Sequence, residues 1–119
     1  MINSLQKSNV GTSLNGATVA GAGVAFALPP RQTDQSPQNV TAQIRGTGAL
    51  VGVGLSVNLE GALDGDPTFV YPIVLGTINA LDANGNGGLN NVAAEVAFVR
   101  WNLTQITNGS IVGIIRNNA

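Results

Sequence analysis

Cysteine and histidine are both absent from this 119-residue chain, and charge is scarce. Five Lys+Arg and six Asp+Glu make up 9% of the residues, against roughly 25% in an ordinary soluble domain. Without cysteine there are no disulfides, thiol nucleophiles or thiolate metal sites. Without histidine there is no imidazole base and no Ser-His-Asp triad of the usual kind. A net charge of -1 argues against a duplex-binding surface built on counterion release. The deficit also bears on solubility, because a free monomer normally surrounds itself with charge. Here neutral Asn, Thr, Gln and Gly must cover the exterior, or partners must cover part of it.

Long apolar runs are missing too. The stretch 19–28 is apolar and small, but it is far shorter than the ~20 residues of a membrane span and ends at Pro29 and Pro30. The polar N-terminus lacks the basic region and continuous apolar core of a signal peptide. The expectation is a soluble chain made without secretion. Sequons at Asn39, Asn102 and Asn108 are what an Asn- and Thr-rich composition produces by chance.

What the chain does have is glycine (16), asparagine (14) and alternation. A length of 119 residues suits one domain. Glycine is spread throughout and β-branched residues dominate the apolar runs, so the helix reading fails almost everywhere. Over 49–60, Val51, Val53, Leu55, Val57 and Leu59 hold one phase and small or polar residues hold the other, which predicts a strand with one buried face. Over 96–106, Ala97, Val99, Trp101 and Leu103 point one way, with Arg100, Asn102 and Thr104 opposite. Residues 110–116 are apolar on both phases, as in a central or interface strand. Thr107-Asn108-Gly109 between them predicts a tight turn and hence a hairpin. Further strands are expected at 23–28, at 40–45 with Val40, Ala42 and Ile44 in phase, and at 69–75, where Pro72 argues for an edge or a bulge. Residues 31–38 read as a polar loop, 46–48 as a turn, 82–91 as a flexible loop and 90–95 as a helical turn or the run-in to the next strand. About six to eight strands with short connections predict an all-β fold, an antiparallel β-sandwich or small jelly-roll, over 17–119. Residues 1–16 are expected to form a flexible or partner-bound N-terminal arm.

No position is assigned a catalytic, cofactor-binding or metal-binding role. Asp82-Ala83-Asn84-Gly85-Asn86-Gly87 matches the first half of a calcium loop, but Ala93 stands where the bidentate acid belongs, and plain turn chemistry accounts for the residues. Glu60, Asp64 and Asp66 are the only acidic cluster; paired carboxylates can hydrolyse glycosides, yet here turn capping explains Asp64 better. Arg100 is expected to pair structurally with Glu60 or Glu95. Of the aromatics Phe26, Phe69, Tyr71, Phe98 and Trp101, the phase puts Trp101 in the core and leaves Phe98 and Tyr71 as the exposed candidates for sugar contact. The glycine pairs at 46–48 and 52–54 lack the lysine and following helix of a phosphate loop.

Three segments carry a resemblance: VGLSVNLEGALDGDPTF, the AFVRWNLTQITNGSIVGIIR tail, and GAGVAFALP ahead of VTAQIRGTG. Their order resembles small β-sandwich proteins encoded among the virion genes of tailed bacteriophages, in which an alternating strand leads into an "EGSLDG" turn and an aromatic, and a "VRVNVTSLTGGTVTV" hairpin closes the domain. Val57 to Gly65 with Phe69 matches the first element; Val99-Arg100-Trp101-Asn102-Leu103-Thr104 with Asn108-Gly109 matches the second. The resemblance spans about residues 17–116. Two departures stand out: the aromatic arrives as Phe69 after Asp66-Pro67, and the tail is unusually apolar from Ile111 to Ile115. The resemblance implies a non-enzymatic capsid decoration or cement protein on the outer surface of the virion, assembled in the host cytoplasm. Its partners would be the major capsid protein and further copies of itself, a trimer suiting threefold lattice points. No nucleic acid, membrane, cofactor or small-molecule substrate is implied. The alternative is a head, neck or tail fibre or spike component with host-glycan contact.

Overall fold

The computed structural model describes residues 2–4, 10–28, 39–47 and 54–117. In chain order the strands are β1 (Ile2–Ser4), β2 (Val10–Ala17), β3 (Gly21–Ala22), β4 (Ala25–Ala27) and β5 (Asn39–Thr47). They continue as β6 (Leu55–Ala62), β7 (Ile73–Ile78), β8 (Asn86–Ala93), β9 (Phe98–Ile106) and β10 (Ser110–Asn117). One sheet has the order β1-β4-β9-β6-β7, with β3 also on β9; the other has the order β2-β10-β5-β8. The fold is an all-β sandwich, with no helix among the described residues. Every pairing is antiparallel except β1 with β4, which is parallel.

The alternation read from the sequence builds the core. Val40, Ala42 and Ile44 of β5, Leu55, Val57 and Leu59 of β6, and Val99, Trp101 and Leu103 of β9 are all buried. They meet Ile111 and Ile115 of β10 in one cluster between the sheets. The Trp101 indole crosses the core to β10, where its Nε1–H donates to the Ile114 carbonyl at 3.2 Å. Gly113 lies beneath it: a Cβ there would stand 2.6 Å from Trp101 Cδ1. That contact explains a glycine in the middle of an otherwise apolar strand.

Ser13 ties the two sheets together on the other side. Gly23 and Val24 separate β3 from β4, and there β2 of the opposite sheet steps in. The Ser13 hydroxyl donates to the Val24 carbonyl at 2.7 Å and accepts from the Trp101 N–H at 2.9 Å. The Val24 N–H donates to the Ser13 carbonyl at 2.7 Å. A Cβ at position 23 would overlap that carbonyl, so only glycine permits the approach.

Several expectations are corrected. The hairpin across 107–109 does not form, because β9 and β10 belong to different sheets. Each buries a full apolar phase, and in one sheet those phases would lie side by side. As an arch they face each other, so Trp101 can reach β10. Asn-Gly serves an arch as readily, with Gly109 at φ +84°. The arm expected over 1–16 overlaps the sheets: β1 pairs with β4, and β2 pairs with β10 and buries Ser13 and Leu14. The strand expected at 69–75 begins at Ile73, one residue beyond Pro72, and is the edge of its sheet. The flexible loop expected at 82–91 is a turn followed by β8, which also occupies most of the 90–95 segment. Among the described residues seven strands, β2 and β5 to β10, have six residues or more, in keeping with the six to eight expected, and the short β1, β3 and β4 are additional. The loop, turn and strand residues expected over 29–38 and 48–53 lie outside the described residues.

Candidate functional site

The polar residues singled out by the sequence lie on the outer face of the first sheet and in the loop from β6 to β7. Glu60 and Arg100 are cross-strand partners on β6 and β9, as are Asn58 and Asn102. Arg100 Nε and Nη2 both stand 3.0 Å from Glu60 Oε1, and Asn102 Nδ2 donates to Oε2 at 3.0 Å. Of the two expected partners, Arg100 thus takes Glu60. Both carboxylate oxygens are engaged, which is the condition for tolerating a carboxylate at 4% exposure. The guanidinium stacks on the Phe69 ring at 4.2 Å. Phe69 itself packs with Ala25, Ala62 and Phe98 in a small second cluster.

Phe69 reaches that position from a turn with φ +55°, an uncommon conformation for an aromatic residue. Asp66 holds the turn. Its backbone N–H donates to Leu63 O at 3.0 Å, and its carbonyl accepts from Phe69 N at 3.2 Å. Its carboxylate accepts from Val70 N at 2.8 Å and Tyr71 N at 3.0 Å. The capping role expected of Asp64 therefore falls to Asp66. The three acids do not converge on a cleft: Glu60 faces Arg100, Asp66 faces its own backbone and Asp64 is exposed. Paired-carboxylate hydrolysis needs two acids flanking one bond, and this arrangement does not provide it.

At the calcium-like segment, Asp82 Oδ1 accepts from Asn84 N and Asn86 N, each at 2.9 Å, and Gly85 N donates to the Asp82 carbonyl at 2.9 Å. This is an Asx-type turn leading into β8. Among the described residues no group of three or more Asp, Glu, His or Cys side chains is placed to hold a metal ion. Beside the turn lies an open depression of about 380 Å³, lined by Thr41, Gln43, Asp82, Asn86, Gly88 and Asn90. Trp101 and Phe26 are buried in the core and Phe69 is buried under Arg100. Phe98 is half-buried, which leaves Tyr71, at 79% exposure, as the exposed aromatic.

The feature that the sequence reading missed is the surface around Tyr71. Leu63, Val70, Tyr71, Ile73 and Val74 are all exposed large hydrophobics. They sit on the β6–β7 loop and on the first half of the edge strand β7. The signal in the sequence is a run from 67 to 81 with no charged residue, centred on Val70-Tyr71-Pro72-Ile73-Val74. A scan against protein-family models gives no match, and neither does a comparison with curated proteins.

Proposed function

We propose that this chain is a non-enzymatic structural component of a bacteriophage virion, a decoration or cement protein that lies on the outside of the capsid and stabilises the head shell. The observation that carries the reading is the exposed apolar set Leu63, Val70, Tyr71, Ile73 and Val74 on a sandwich whose candidate site residues are engaged within the fold. Glu60, Arg100 and Asn102 bind one another, and Asp66 and Asp82 bind backbone. What faces outward is a surface for lying against protein, as the charge deficit also suggests. The phage context comes from the resemblance of the segments 53–69 and 97–116 to virion β-sandwiches. The major capsid protein is the proposed principal partner.

The test is to add the purified chain to phage heads that lack it and locate it at near-atomic resolution. Many copies over the head, with a gain in heat or osmotic resistance, are the expected result. Heads that bind none, or bind it with unchanged resistance, would refute cementing. The exposed Tyr71 favours one second reading, a fibre or spike component that touches host sugar. It predicts density confined to the tail or a vertex and a sugar-dependent change in tyrosine fluorescence.

A further inference from the structure

Edge strands are a hazard that proteins normally guard with charge, proline or bulges, because an unpaired row of N–H and C=O groups invites another strand. Among the described residues β7 pairs only with β6. Its second half leans on β8, where Gly76 lies under Leu89 and Gly87 under Ile78. Among the described residues its first half has no such neighbour, and it carries the exposed Ile73 and Val74. Pro72 blunts the entry to the strand and the pairing with β6 shifts register at Leu75, between Leu59–Gly76 and Glu60–Val74, but no lysine, arginine, aspartate or glutamate occurs from 67 to 81.

We infer that this surface is a two-fold contact between two copies of the chain, with the first half of β7 and the Val70-Tyr71 loop of one copy against the same residues of the other. Two quantities favour a second copy over a foreign partner. The first is area. The five exposed side chains present roughly 500 Å² of apolar surface per chain, so two copies bury at most about 1,000 Å² between them, the lower limit for a specific interface. The second is charge. A two-fold axis sets each group against its own copy or a neighbour of it, so like charges near the axis repel. The segment 67–81 carries none, and the adjacent Asp66 carboxylate is turned back onto Val70 N and Tyr71 N. The exposed Asp64, beside Leu63, is left at the margin of the patch as its one outward carboxylate. The contact takes up the apolar face on which the virion reading rests and assigns it to a second copy, so the capsid protein would meet the dimer through another face; it closes at two copies rather than three.

Sedimentation equilibrium of the full chain tests it, from about 1 to 200 µM, the range in which micromolar affinities are resolved. The expected result is a concentration-dependent monomer–dimer equilibrium. Val74→Lys places an edge-guarding lysine beside Glu60, its cross-strand partner, so the fold is retained. Tyr71→Ser removes the largest exposed side chain. Each change enters the contact twice and is expected to raise the dimer Kd by about 30-fold or more. Val19→Lys, at an exposed position outside the patch, is expected to leave the Kd unchanged. A monomer at all concentrations, a trimer, or a dimer indifferent to both patch variants would overturn the proposal. These outcomes are separate from head binding, which monomer and dimer can each be assayed for, so either proposal can fail alone.

Discussion

Ser13→Ala removes one oxygen atom at the place where the two sheets are joined. Ser13 is 4% exposed, and its hydroxyl is both the acceptor for Trp101 N–H and a donor to Val24 O. The two losses differ in size. Val24 is partly exposed, so its carbonyl can turn to water, and that bond contributes about 1 kcal/mol. Trp101 is fully buried, and its backbone N–H points to the gap between β3 and β4, where Ser13 stands in for a ladder partner. An orphaned buried N–H costs about 1–3 kcal/mol. The sum, about 2–4 kcal/mol, is a large share of the roughly 5–15 kcal/mol available to a domain. Urea unfolding followed by the fluorescence of Trp101, the sole tryptophan, reports it at the site of the change. With a slope near 1–3 kcal/mol per molar, the midpoint should fall by about 1–2 M with the slope unchanged. Thr12→Ala, one residue away and exposed, should shift it by no more than about 0.5 kcal/mol. A loss below that same limit for Ser13→Ala would refute the argument that the hydroxyl is Trp101's necessary acceptor.

Gly113→Ala places a methyl group 2.6 Å from Trp101 Cδ1 and is expected to cost about 1–3 kcal/mol with a shift in tryptophan emission; native-like emission and stability would refute the stacked geometry. Glu60→Ala strands Arg100, whose side chain is 18% exposed, and should cost about 2–4 kcal/mol in urea unfolding. The Glu60→Ala, Arg100→Ala double variant should lose less than the sum of the singles, and additivity would show that the pair does not couple. Asp66→Ala frees the Val70 and Tyr71 N–H groups at a half-exposed turn and should cost about 1 kcal/mol. Limited proteolysis between 66 and 71 should accelerate, and an unchanged cleavage rate would count against Asp66 as the clamp of that turn.

The core was legible because alternation is local. Val57, Leu59, Val99, Trp101 and Leu103 needed only their phase to be placed inside, and Arg100 needed only its polar phase to be aimed at Glu60. Pairing is not local, and there the reading failed. Thr107-Asn108-Gly109 allows a hairpin or an arch, and the choice is made by what each strand already has beside it. Strand β9 lies between β6 and the β3–β4 pair, and β10 lies between β2 and β5, so neither has an edge for the other. Ser13 was invisible for the same reason, since its partners are 11 and 88 residues away. The apolar surface from Leu63 to Val74 was missed because an alternating aromatic and aliphatic run reads as a half-buried strand. Pro72 instead delays the strand to Ile73 and leaves Val70 and Tyr71 in the loop.

Glycine and the missing charge belong to one design. A sandwich this small has few positions at which both layers can offer large side chains, so a large residue on one sheet is met by a glycine on the other. Trp101 lies over Gly113 and Leu89 over Gly76, in each case with the hypothetical Cβ only 2.6 Å away. Filling such a pair from the small side overpacks it, and emptying it from the large side leaves a cavity. The complementarity thus fixes register across the layers as well as filling volume. It also limits what β7 can carry, because Gly76 sits inward under Leu89 while Val74 is left outward beside Glu60. A charge at 74 would suit the edge in a monomer and even pair with Glu60. The chain has valine there, in a run of fifteen uncharged positions, and that choice follows if the edge is to be covered.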